Sequence, residues 1–104
     1  MRMENLTGVA DVSDIAPGGV HIVTIDRKTI AIFNIEGVLY AIDNTCLHRG
    51  GPLGEGKLEG TTVTCPWHGW KYNVTTGENL TKPDKKIATY PVTVKEGSIF
   101  VEIL

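Results

Sequence analysis

The chain has 104 residues, 41% hydrophobic and 21% charged, with a formal net charge of −2. That length favours one domain over residues 1–104 with one modest core. The mildly acidic balance argues against nucleic acid as a partner, since that requires a basic face. No stretch approaches the roughly 18 apolar residues of a bilayer span. Met1-Arg2-Met3-Glu4-Asn5-Leu6-Thr7 has neither the apolar run of a secretory signal nor twin arginines. A cytoplasmic chain with no membrane partner is therefore expected.

In chain order, the composition favours strands: Ile, Val and Thr are abundant, and no long segment keeps a helical apolar period. Leu6–Ala10 reads as a short strand. Asp11–Ile15 has room for one capped turn before Pro17-Gly18-Gly19 stops it. Val20–Ile25 is a β-branched run, Asp26-Arg27-Lys28 a polar turn, Thr29–Ile35 the next run and Glu36-Gly37 a hairpin turn. Val38–Asp43 then alternates, with Val38, Tyr40 and Ile42 on one face. Val20–Asp43 is thus a three-stranded antiparallel meander. Asn44–Gly60 carries five glycines and Pro52, too many breakers for regular structure, and so long a loop is usually functional. Thr61–Thr64 and Trp70–Val74 are short strands, the second closed by Thr75–Glu78. Asn79–Lys86 is a polar connection. Thr89–Val94 alternates, Lys95–Ser98 turns, and Ile99, Val101 and Ile103 share a face of the last strand. About eight to ten strands with Gly-rich turns predict an all-β antiparallel sandwich or partly open barrel. No internal repeat is visible.

One stretch carries the chemistry. Cys46-Leu47-His48 and Cys65-Pro66-Trp67-His68 contain both cysteines and two of the three histidines, with sixteen residues between His48 and Cys65. Two thiolates and two imidazoles delivered from two loop tips form a metal-ligand inventory. In a reducing compartment they read better as ligands than as a disulfide. A structural zinc site also takes this donor set, although zinc sites usually pair like with like, as C-x₂₋₄-C and H-x₃₋₅-H.

The pattern Cys-x-His, sixteen residues, Cys-x-x-His resembles the Rieske [2Fe–2S] family, whose cysteines bind one iron and whose histidines bind the other. The run Cys65-Pro66-Trp67-His68-Gly69-Trp70-Lys71-Tyr72 is similar to the second cluster loop of Rieske ferredoxins and ring-hydroxylating oxygenases. Thr76-Gly77-Glu78 and Pro83…Tyr90-Pro91-Val92 extend the likeness. The resemblance implies a Rieske-like fold with a cluster-binding subdomain at approximately residues 44–74. It implies one [2Fe–2S] cluster on Cys46, His48, Cys65 and His68, and a possible tyrosine donor to cysteine sulfur at Tyr72. Around the ligands, Arg49, Gly50, Trp67, Gly69, Trp70, Tyr72 and Pro83 are the further site residues it implies, Pro83 through a third loop over the cluster. Two thiolates in place of four leave the core less negative, so it is easier to reduce than an all-cysteine cluster.

Departures from the family place the chain within it. High-potential respiratory members brace their loops with a disulfide, and the corresponding positions here are Gly51 and Trp67. Those members also place a serine where this chain has Trp70. The expectation is a low-potential cluster near the roughly −150 mV end of the Rieske range.

Such a chain holds one electron and little else. It resembles the ferredoxins that pass electrons from a flavin-containing or other ferredoxin reductase to a terminal oxygenase or other oxidoreductase. The alternative is a small Rieske subunit or redox-regulatory component of a larger oxidoreductase. His21 reads as an edge or surface residue, and Lys82, Lys85 and Lys86 as a solvated basic run.

Overall fold

The computed structural model describes residues 6–103; the reading of Met1–Asn5 lies outside them. Ten strands follow in order: β1 Leu6–Asp11, β2 Val20–Ile25, β3 Lys28–Ile35, β4 Val38–Asp43, β5 Lys57–Glu59, β6 Thr62–Thr64, β7 Lys71–Asn73, β8 Thr89–Tyr90, β9 Val92–Lys95 and β10 Ser98–Glu102. They form three antiparallel sheets, β1-β10-β9, β2-β3-β4-β8 and β5-β6-β7. None closes into a barrel among the described residues, so the architecture is open.

The central sheet explains the arrangement. Residues Ile30 to Asn34 of β3 are all buried, where a half-solvated strand would alternate. Alternate residues enter two different cores. Ala31, Phe33 and Ile42 pack with Cys46, Leu53, Val63, Cys65, Tyr72, Val74 and Ile87. Ile30, Ile32 and Ala41 pack with Ile15, Ile99 and Val101. The central sheet therefore lies between β1-β10-β9 on one face and the small β5-β6-β7 sheet with its loops on the other. Asn34 is the polar exception within β3. Its amide donates to the Ile15 carbonyl at 2.8 Å and its oxygen accepts the Gly37 N–H at 2.8 Å, so nothing is left orphaned.

The meander over Val20–Asp43 is present, with one adjustment. Ile25 pairs with Lys28, so the turn is only Asp26-Arg27, both at positive φ (47° and 70°). That is the geometry whose twist suits a tight hairpin. Two further differences come from tertiary structure. The reading has one strand over Thr89–Val94, but the structure divides it at Pro91. Tyr90 pairs with Ala41 in the central sheet and Val92 pairs with Val101 in the outer one. Proline has no N–H for a ladder and suits a corner between sheets. Within the glycine-rich stretch, a 3₁₀ turn at Leu53–Glu55 precedes β5, whose Leu58 pairs with Val63. Leu53 is fully buried, and that burial anchors the stretch to the body.

Candidate metal centre

Both cluster loops leave the ends of strands and close in the same way. In the first, which follows β4, the Cys46 N–H donates to the Gly51 carbonyl at 2.9 Å and the Gly50 N–H donates to the Cys46 carbonyl at 2.9 Å. In the second, which follows β6, the Cys65 N–H donates to the Trp70 carbonyl at 2.8 Å and the Gly69 N–H donates to the Cys65 carbonyl at 3.1 Å. Each is a six-residue loop with cysteine first and glycine fifth. Gly50 and Gly69 both have φ of +77°, a left-handed conformation that glycine adopts without a Cβ penalty. This structural repeat does not show in the sequence, because only two of the six positions match.

The loops sort their donors by depth. Cys46 and Cys65 belong to the core at 3% exposure each, and neither forms a disulfide. His48 and His68 are exposed, their rings edge to face with centroids 4.8 Å apart. Among the described residues, no three Cys, His, Asp or Glu side chains converge as holders of one ion. A buried thiol pair beside an exposed imidazole pair suits a core of two metals.

Neighbouring residues complete the cradle. A Cβ on Gly51 would lie 2.6 Å from the Cys65 Sγ and 3.1 Å from the Trp67 ring, so only glycine leaves that sulfur its space. Tyr72 is fully buried. Its hydroxyl accepts the Leu47 N–H at 3.1 Å and lies 3.4 Å from the Cys46 Sγ. With the backbone N–H already donated to the phenol oxygen, the phenol proton is free for the sulfur. Burial, and then the hydrogen bond to Cys46, push the Tyr72 pKa well above its ordinary value, so the hydroxyl keeps its proton.

Trp70 is half-buried and stacks on the His48 ring at 4.5 Å, whereas Trp67 is 57% exposed. Partial desolvation, then the charges of His68, Arg49 and Lys82, hold the His48 pKa below its ordinary value. A neutral imidazole is the form that ligates a metal.

A third segment reaches the same end. The Leu80 N–H donates to the Lys71 carbonyl at 2.8 Å, and the Lys71 N–H donates to the Thr81 Oγ1 at 3.0 Å. The buried Asn79 side-chain oxygen accepts the N–H groups of Thr81 and Lys82, at 2.9 and 2.7 Å. These bonds place Lys82 beside the second loop, where its charge bears on His48. Pro83 lies further along, lining an open groove with Thr76, Glu78 and Lys86. Arg49 is exposed next to His48, and His21 sits on β2, at the edge of the central sheet. Sequence reasoning missed Asn79, and the placement of Lys82 at the rim, because both depend on contacts made only after folding. It also missed Asn44, whose side-chain oxygen accepts the Gly54 N–H at 2.6 Å and pins the first loop's return. An Asn directly after β4 was the available signal.

Fold and site together define the class: an open antiparallel β protein that presents two matched Cys/His loops at one end. Residues 5–91 match the model of the Rieske [2Fe–2S] domain. The chain is 37% identical over 92 residues to the ferredoxin component of the naphthalene 1,2-dioxygenase system of Pseudomonas putida, covering 88% of each chain. It is 36% identical over 101 residues to the ferredoxin component of the naphthalene 1,2-dioxygenase/salicylate 5-hydroxylase systems of a Ralstonia species, covering 96% of this chain and 97% of that one. Among solved structures it superposes on a chain from the complex of reduced oxygenase and oxidised ferredoxin in carbazole 1,9a-dioxygenase. That match has a TM-score of 0.88 and 32% identity, and covers 94% of this chain and 93% of the other. The chain belongs to the Rieske [2Fe–2S] domain family, and its cofactor is a single cluster of that type. It is an electron-transfer ferredoxin rather than a catalytic oxygenase. The residues present fit the cofactor: the donor set is two thiols and two imidazoles, and the space beside the Cys65 sulfur is one that a Cβ would fill. No helix among the described residues is long and apolar enough to cross a membrane.

Proposed function

We propose that Cys46 and Cys65 hold the inner iron of the cluster and His48 and His68 the outer one. We further propose that the chain passes single electrons from a flavin-containing or other ferredoxin reductase to the terminal oxygenase of an aromatic-ring dioxygenase system. One observation carries the reading: two loops with the same closure set a buried thiol pair beneath an exposed imidazole pair. When bound, the cluster supplies a one-electron store that is easier to reduce than an all-thiolate one. The chain's own residues do the rest. Tyr72 donates its proton toward the Cys46 sulfur. Trp70 holds the His48 ring in one plane. The two imidazoles form the exposed edge through which a partner exchanges the electron. Residues 1–104 act as one unit with the cluster-binding subdomain at about 44–74, and the unpaired cysteines suit a cytoplasmic location.

The test is an EPR spectrum of dithionite-reduced protein, together with iron content. A Rieske-type signal is expected in the wild type. His68→Ala should lose that signal and the visible colour while folding as a β protein. A normal spectrum in His68→Ala would remove this residue from the ligand set. A colourless wild type containing zinc would overturn the whole reading.

A further inference from the structure

Charge is divided unevenly along this molecule. Between residues 44 and 88 there are six basic and four acidic side chains, although the chain as a whole is net negative. Residues 6–43 and 89–103 hold three basic and seven acidic ones. The segment that carries the two loops is therefore net positive and the remaining β body negative. The asymmetry is sharpest at the tip. Within the two six-residue loops, Cys46–Gly51 and Cys65–Trp70, Arg49 is the only charged residue. Lys71 follows the second loop directly. Lys82 is brought alongside by the bonds between Lys71 and Leu80-Thr81 and by the Asn79 cap. Arg49 and Lys82 are both exposed, and no ion pair engages either among the described residues. The same loops carry the exposed imidazoles of His48 and His68, with the exposed Leu47 (47%) and Trp67 (57%) beside them in the chain. An aromatic and aliphatic centre with a charged rim is the usual anatomy of a transient docking face.

We propose that Arg49 and Lys82 form a cationic rim that selects, as the electron-exchange partner at the imidazole edge, a protein whose docking face is acidic, with Asn79 positioning Lys82 through its backbone. The inference rests on the proposed electron-carrier function and adds the chemistry of the partner. The negative β body orients the molecule in the same sense, turning its cluster end toward an acidic face and its far end away. Because the pair lies at a solvated rim, its effect belongs mainly to the rate of encounter and falls with salt.

The experiment uses the cluster-loaded full chain, reduced and mixed in stopped flow with two protein acceptors, the acidic soluble cytochrome b5 and the basic cytochrome c. Wild type should reduce the acidic acceptor faster at low salt than at high salt, and the basic acceptor should show the opposite trend or none. Arg49→Glu/Lys82→Glu should slow the acidic reaction roughly ten-fold at low salt and reverse its salt dependence. Lys95→Glu on β9, carried singly and paired with Lys57→Glu to match the charge change, should keep the wild-type trend, which separates a local rim from net charge. Asn79→Ala, read by the same salt slope, should weaken it while the visible spectrum is retained.

The inference is overturned if both acceptors exchange electrons without salt dependence, or if the rim double variant behaves as the Lys57/Lys95 control does. A chain that shows no Rieske-type EPR signal and reduces neither acceptor instead fails at the proposed function, so the two failures are told apart.

Discussion

Tyr72 shows how much one side chain does at this site. Its oxygen accepts a backbone N–H from the first loop, which leaves its proton aimed at the Cys46 sulfur. A donor to sulfur favours the reduced, more negative state of a cluster. A hydrogen bond to a charged group is worth about 1.5–3 kcal/mol, and only part of that differs between redox states, so Tyr72→Phe should lower the reduction potential by roughly 50–100 mV. The same change leaves the Leu47 N–H without an acceptor and should cost about 1–3 kcal/mol of stability. A spectroelectrochemical titration of wild type and Tyr72→Phe decides it: an equal or higher potential in the variant would show that the hydroxyl is not a donor to the sulfur.

The two Cys/His pairs stand out in the sequence by residue type and short-range spacing, and Tyr72 through the family resemblance. What Trp70 does was not legible there, because stacking on His48 joins residues 22 positions apart in the chain. In the sequence Gly51 marks only the place of a missing bracing cysteine, and its close approach to the Cys65 sulfur appears once the two loops meet.

At the scale of elements, the junction at Tyr90-Pro91 is the instructive case. Alternation of Tyr90, Val92 and Val94 reads as one strand, yet Val94 is exposed, and Pro91 sends the two halves to different sheets. Period-two alternation reports which side chains share a face; it does not report which sheet a strand joins. The β2-β3-β4 meander and β10 were legible because hairpin turns and alternation are local signals. Strand β5 was hidden by the glycines around it.

Tyr90 also yields a pH prediction. Partial burial, then the Asp43 carboxylate, raise its pKa above the ordinary 10.0. The folded chain therefore holds this proton more tightly than the unfolded chain does. The corresponding stability is fully present below the ordinary tyrosine value and is lost as pH rises through the folded one. Tyr90→Phe should leave the urea midpoint at neutral pH little changed and make its decline above about pH 10 shallower. An alkaline decline as steep as that of the wild type would assign the slope to other groups.

The whole molecule is two cores sharing one sheet, and they depend on the cofactor to different degrees. The core of Ile15, Ile30, Ile32, Ala41, Ile99 and Val101 contains no donor residue. The other core includes Cys46 and Cys65 as members, packed with Leu53, Val63, Tyr72 and Val74. No disulfide ties the two loops to each other. Each closes on itself through its own two backbone bonds, and the contacts between them are the packing at Gly51 and the ring contacts of His48 with His68 and Trp70. On the proposed ligand set the cluster is the main tie across the tip, and a ligand that binds only the folded state stabilises what it ties. Removing it with a chelator under reducing conditions should separate the two ends in hydrogen exchange. Amides of Cys46, Gly50, Cys65 and Gly69 should lose protection by orders of magnitude, while those of Ile30, Ile32, Ile99 and Val101 stay within a few-fold of the loaded protein. If the β3 and β10 amides were lost together with the loops, the two cores would be one cooperative unit, and the tip would be as essential to the fold as the sheet that carries it.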